Sequence, residues 1–207
     1  MDEKTLDKFK LFRSVMEYFV TFSDDEWNVV QSHLRLATLK KKAFFVEYGN
    51  VCEDIGLIVS GSMRYFQHKD GSEITGYFSI ENEFVTSYKS FVTQMPANHF
   101  IQAIEDTELV LLSFDSLQQL YNHKLLSYKM ERFGRLIAEY LICCYDDRLN
   151  SFIIQSPEER YLDLLSSRPD IIQRIPQHHI ANFLGVTPVS LSRIRRRVMK
   201  SAKNLPG

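Results

Sequence analysis

The segment running from Ile175 to Arg197 constrains this chain more than any other stretch. Pro176 is suited to opening a helix in which Ile180, Ala181 and Leu184 share one face. Gly185 ends that helix, because a tight turn needs a residue that tolerates positive φ. Thr187-Pro188 then supplies an N-cap and a first-turn proline, so a second helix begins at once. Its Leu191, Ile194 and Val198 recur at spacings of three and four and point inward. The opposite face carries Val189, Ser190, Ser192, Arg193, Arg196 and Arg197. Two short helices across a glycine turn, with a basic outer face, predict a helix-turn-helix. The small Ala181 stands where the two helices would cross most closely.

The chemistry follows from placement. In such a motif, residues near the start of the second helix reach base edges, while cations and free amides bind phosphates. Arg193, one turn in, is the candidate for bidentate pairing with guanine, and Val189 for packing on a thymine methyl. Gln177 and Thr187, at the two helix starts, and Ser190 and Ser192 are candidates for hydrogen bonds to bases or phosphates. Arg195, Arg196, Arg197 and Lys200 would supply sequence-independent attraction. An arginine run at a helix end also complements the helix dipole. That alternative leaves the Gly185 turn, the Thr187 cap and the apolar spacing without a role. Charge points the same way. All 26 acidic residues lie within 1–170, whereas 171–207 holds 7 basic residues and no acid, so a net charge of −1 conceals an acidic body and a basic tail. The partner implied is double-stranded DNA.

The first 35 residues read as helical, with Leu6, Phe9, Phe12, Met16 and Phe19 at helical spacing and Ser23–Glu26 as a capping box ahead of Trp27 and Val30. From Leu36 to about Phe114 the pattern changes to short aromatic and β-branched runs: 42–48, 55–59, 62–67, 73–78, 100–104 and 109–113. Asp70-Gly71 between two of them is a hairpin turn. Short strands at this spacing predict a sandwich or barrel and not alternating βα units. Helix returns after Asp115. Leu126, Met130, Phe133, Ile137, Tyr140 and Cys144 form a heptad seam along one long helix, which either packs on its own β domain or faces a second copy in a homodimer. On the second reading Phe133→Asp yields monomers. Ser156-Pro157-Glu158-Glu159 opens the next helix, with a cap, a proline and acids on its positive end.

These features together resemble the Crp/Fnr transcriptional regulators, in the branch common in Bacteroidetes. The resemblance spans nearly the whole chain: the Gly49, Gly61 and Asp70-Gly71 turns, Glu81–Tyr88, Ile101–Asp106, Glu158–Tyr161 and Ile175–Arg197. It implies an α+β architecture in three parts. Residues 1–122 would be a cyclic-nucleotide-binding-like double-stranded β-helix (a β-roll or jelly roll) acting as sensor. Residues 123–155 would be a dimerisation helix and 156–207 a winged helix-turn-helix, although only ten residues follow Arg197. It also implies RNA polymerase as a protein partner. Cyclic-nucleotide binders of this fold place Gly-Glu and Arg-Ser/Thr pairs around the phosphate. Here Thr86-Ser87 and Ala97-Asn98 stand at those places, and no arginine lies between Arg64 and Arg132. The effector implied is therefore not cAMP, with Arg64, Thr86, Ser87, Tyr88, Lys89, Asn98 and His99 as candidate contacts for another small molecule. A cAMP-responsive regulator, or an effector module whose tail recruits protein, are the alternatives.

Other chemistries lack their residues. The first 51 residues hold no cysteine for an iron–sulfur cluster, and Cys52, Cys143 and Cys144 have no zinc or disulfide spacing. No GxSxG, HExxH or phosphate-binding glycine loop occurs, and adjacent His178 and His179 project about 100° apart on a helix, so no enzyme, metal site or cofactor is expected. A charged N-terminus and the lack of an apolar run of about 20 residues imply a cytoplasmic protein with no membrane partner.

Overall fold

The computed structural model describes residues 2–203. Met1 and the last four residues of the expected 156–207 unit lie outside it. The chain begins with α1 (Glu3–Glu17) and α2 (Asp24–Gln31). Ser23 and Glu26 form the expected reciprocal cap on α2. Strands follow: β1 (Leu34–Leu39), β2 (Phe44–Val46), β3 (Asp54–Ser60), β4 (Met63–Lys69), β5 (Ser72–Ser79) and β6 (Phe84–Val85). A short α3 (Tyr88–Thr93) separates these from β7 (Phe100–Ala103) and β8 (Thr107–Ser113). Asp70 and Gly71 both take positive φ, at 51° and 75°, and close the β4–β5 hairpin between the paired Lys69 and Ser72.

The strands form two open antiparallel sheets of four, in orders β1-β8-β3-β6 and β2-β7-β4-β5. This corrects the expected double-stranded β-helix, because no closed β-roll or jelly roll is formed. Closure would require ladder bonds between the edges of the two sheets, and edge strands β6 and β2 are only two and three residues long. Apolar residues of both sheets, such as Leu57, Ile58, Leu109, Val46, Met63 and Ile101, nevertheless share one core with Phe9, Phe12, Met16, Trp27 and Val30 of α1 and α2.

After β8 the described chain is helical: α4 (Phe114–Tyr121), α5 (Ser127–Ile154), α6 (Pro157–Ser167), α7 (Pro169–Arg174), α8 (Gln177–Phe183) and α9 (Pro188–Lys203). The long α5 and the Ser156 cap on α6 are where periodicity and spacing placed them, and Glu159 bonds back to the Ser156 N–H to complete a capping box. The winged form of the helix-turn-helix is corrected as well. No strand follows Ser113 among the described residues, and the stretch after Arg197 continues α9 to Lys203.

Candidate nucleic-acid interface

The helices α8 and α9 pack through the residues their spacing selects. Ile180, Ala181, Leu184, Leu191 and Ile194 are buried together with Tyr161 and Leu164 of α6 and with Ile171 and Ile175. Gly185 takes φ +72°, its N–H donates to Asn182 O at 3.0 Å, and the Val186 N–H donates to Ala181 O at 2.9 Å. A Cβ at Gly185 would lie 3.0 Å from the Phe152 ring, so both conformation and space select glycine. Thr187 Oγ1 accepts the Ser190 N–H at 3.1 Å and donates to Ser190 Oγ at 3.0 Å. Both hydroxyls are thus engaged in starting α9.

The outer face of α9 leaves Val189, Ser192, Arg193, Arg196 and Lys200 exposed, with Arg195 half-buried. Gln177 from α8 joins Ser192, Arg195, Arg196 and Lys200 around one open cleft of about 520 Å³. Among the described residues Arg193, Arg195, Arg196 and Lys200 take part in no ion pair, so their charge is available to an anion. Arg197 differs: its guanidinium is held by the Glu158 carboxylate at the start of α6.

The two-helix unit is docked on the sheet β2-β7-β4-β5. Asn182 Oδ1 accepts the Thr75 N–H at 2.5 Å and its Nδ2 donates to Glu73 O at 2.5 Å, so one amide occupies the free edge of β5 as a neighbouring strand would. Arg174 forks onto Glu81 at 2.6 and 2.9 Å and reaches Glu105 at 2.6 Å, and Arg168 pairs with Glu83 at 2.9 Å. The Arg174 guanidinium holds the Glu81 carboxyl down to about 2. The body acids thus bind the basic unit as well as setting the body's charge. None of these residues was singled out from sequence for this contact. Charge segregation was the only available signal.

Arg64 of β4 is buried at this junction. It donates to Glu73 and Gln102, lies 4.0 Å over the Phe66 ring and approaches His179 Nδ1 at 3.2 Å. Burial first, then Arg64, then His178 push the His179 ring down to about 4, against a smaller opposing pull from Glu73. The folded state therefore keeps this imidazole neutral, while the unfolded chain takes up a proton near pH 6.5. Stability contributed here is full above about pH 6.5 and declines as pH falls toward 4. Thermal melts should show a falling melting temperature across that window, and His179→Gln should flatten that part of the slope. A His179 ring that titrates near pH 6.5 by NMR would contradict the contact with Arg64.

The remaining effector candidates are not gathered with Arg64. Thr86 Oγ1 donates to Asp54 O at 3.0 Å, and the buried Ser87 donates its N–H to Cys52 Sγ at 3.4 Å. Tyr88 begins α3, Lys89 and Asn98 are exposed, and half-buried His99 bonds Asn98 through Nδ1 at 3.0 Å. His99 Nε2 is buried without a partner, beside the Tyr65 ring. The seam on α5 is divided in the same way. Leu126, Met130 and Phe133 are buried in the chain's own core, and Ile137 packs against that core. Cys144 is half-buried and Tyr140 is 55% exposed. A second apolar row, Ile142, Tyr145, Leu149 and Ile153, stands exposed at spacings of three and four.

A β-sheet domain joined by a long helix to a docked helix-turn-helix defines the class of this protein. Residues 36–124 match the cyclic nucleotide-binding domain family. A search of curated proteins finds no match. Among solved structures, the chain is similar to the c-di-GMP-responsive global regulator CLP of Xanthomonas campestris, at 16% identity over 89% of this chain and 96% of that one, with a TM-score of 0.65. It is also similar to FixK2 of Bradyrhizobium japonicum (15% identity, 82% and 86% covered, TM-score 0.65) and to the catabolite activator protein of Thermus thermophilus (18%, 90% and 88%, TM-score 0.53). The resemblance to Crp/Fnr-type regulators holds at this level: a cyclic-nucleotide-binding-like domain within a shared fold, at low identity and high coverage. Among the described residues no group of three or more metal-ligating side chains is gathered, and no helix is long and apolar enough to cross a membrane.

Proposed function

We propose that this chain is a cytoplasmic, homodimeric, sequence-specific DNA-binding transcriptional regulator of Crp/Fnr type, without enzymatic activity. Residues 1–122 serve as sensor, 123–155 as dimerisation helix and 156–207 as DNA-binding unit. The observation that carries this reading is the exposed cleft where Gln177, Ser192, Arg195, Arg196 and Lys200 converge beside Arg193. The cleft combines unpaired cations with hydrogen-bonding side chains on a helix positioned by a helix-turn-helix. The similarity in fold to CLP, FixK2 and the catabolite activator protein supports it. The second copy sits on the exposed row Ile142, Tyr145, Leu149 and Ile153 of α5, and RNA polymerase is the protein partner when DNA is bound.

The effector is a small molecule other than cAMP. Ala97, at the place of the phosphate-binding arginine, is buried and exchanges backbone hydrogen bonds with Gly49 and Asn50. Arg64, the nearest preceding arginine, is engaged by Glu73, Gln102 and His179.

Labelled random-sequence duplex tests the DNA-binding reading. Among the described residues Arg195, Arg196 and Lys200 remain for phosphate beside Arg193, which predicts about six phosphate contacts in a dimer, and hence an affinity loss of about 10³-fold between 50 and 200 mM salt. Absence of salt-sensitive association at low ionic strength overturns the reading. Capture of protein in place of duplex would instead favour a recruiting tail.

A further inference from the structure

Five side chains from four elements of the fold line up in one file beside the turn between α8 and α9. Phe78 of β5 meets Phe183 of α8 at 5.3 Å between ring centroids. The Arg148 guanidinium of α5 lies 3.6 Å from the Phe183 ring and 4.4 Å from the Phe152 ring. The Arg160 guanidinium of α6 covers Phe152 from 4.6 Å. Neither arginine is in a salt bridge among the described residues. Their partners are backbone carbonyls at two helix ends. Arg148 donates to Phe183 O at 2.5 Å, whereas Arg160 donates to Leu184 O at 3.0 and 3.3 Å and to Gln155 O at 2.5 Å. These carbonyls are the unsatisfied, partially negative C-termini of α8 and α5, where a cation is favoured. Burial and the nearby Arg160 lower the Arg148 pKa to about 10, which still leaves it charged at neutral pH.

The file borders one side of the turn of the helix-turn-helix. A Cβ on Gly185 would meet Phe152 at 3.0 Å and the Arg160 guanidinium at 3.9 Å. Cation–aromatic stacking needs face-to-face geometry, so these contacts define orientation as well as proximity. We propose that Phe78, Phe183, Arg148, Phe152 and Arg160 form a clamp that sets the orientation of the DNA-reading unit on α5. In a dimer, that clamp makes the two recognition helices present themselves at one fixed separation. The proposal rests on the DNA-binding, dimeric reading above. These five are positioning residues, since none of them faces the basic cleft.

The test uses the full chain and duplexes selected by the parent protein from a random pool, kept whole as two half-sites or cut at the centre. Arg148→Lys keeps the charge and removes the planar fork, Phe152→Leu removes the ring, and Phe152→Tyr keeps it. Arg148→Lys and Phe152→Leu are expected to weaken binding to the whole site about tenfold while leaving the half-site within about twofold. The same two variants should speed amide exchange about tenfold over 180–187 in the free protein, with the β strands unchanged. Phe152→Tyr should match the parent in both measurements. Unchanged exchange, or equal losses on whole and half sites, overturns the clamp. If the parent selects no duplex, the DNA-binding reading fails separately, and the exchange measurement alone decides whether these residues hold the turn.

Discussion

Phe133→Asp is expected to unfold the protein and not to separate a dimer into folded monomers. The side chain is 8% exposed and packs edge-on to Phe19 at 5.8 Å and to Phe84 at 6.1 Å, beside the fully buried Met130. Losing that ring costs about 3–5 kcal/mol, and an unpaired carboxylate left in its place adds several more. Together these approach the whole stability of a typical domain, about 5–15 kcal/mol. Circular dichroism should show loss of cooperative folding at room temperature. Leu149→Glu, on the exposed row of the same helix, is the matched control. It should stay folded and give the mass of one chain by light scattering, where the parent gives two. A folded, monomeric Phe133→Asp would mean that the first half of α5 faces a partner, against the burial described here.

The second large effect concerns base readout. Arg193→Ala should cost about 1–3 kcal/mol on a selected duplex and relax preference at one position per half-site. Arg196→Ala should weaken all duplexes about equally and shallow the salt dependence by about one unit per copy, because a phosphate contact carries no sequence information. Fluorescence anisotropy across a panel of single-base variants separates the two outcomes. If Arg193→Ala lowers affinity without altering preference, Arg193 is a phosphate contact and base readout belongs to other residues of α9. Arg197→Ala should have the smallest effect of the three on DNA, since Glu158 already neutralises that guanidinium.

Much of the candidate site was legible before any coordinates. Gly185, the Thr187 cap and the Leu191–Ile194 spacing are short-range features, and each appears as expected. The same holds for the Ser23 capping box, the Ser156 cap and the Asp70-Gly71 turn. The roles of Arg197 and Arg64 were not legible. An arginine's partner depends on what folds against it. Glu158 lies 39 residues from Arg197 and His179 lies 115 from Arg64. The strand β2 turned out shorter than the run 42–48 suggests, and β6, only two residues long, was not read as a strand, so neither edge offers a ladder long enough to close the sheets.

The α5 seam shows the division most directly. Its heptad spacing announced a long amphipathic helix, but the helix has two apolar rows, and spacing does not say which one turns inward. Contacts with the turn after α1 and with β6, through Phe19 and Phe84, bury the row containing Phe133 and leave Ile142, Tyr145, Leu149 and Ile153 outside. By itself the sequence determined most of the longer helices, several of their caps and turns, the two-helix unit with its basic outer face and the segregation of charge, because those depend on residues within a few positions of one another. Only the tertiary structure decided which helix face is core, whether the sheets close, and how Asn182, Arg174 and the Arg148–Phe152–Arg160 stack hold the two-helix unit. Those outcomes depend on long-range packing and desolvation that no local pattern encodes.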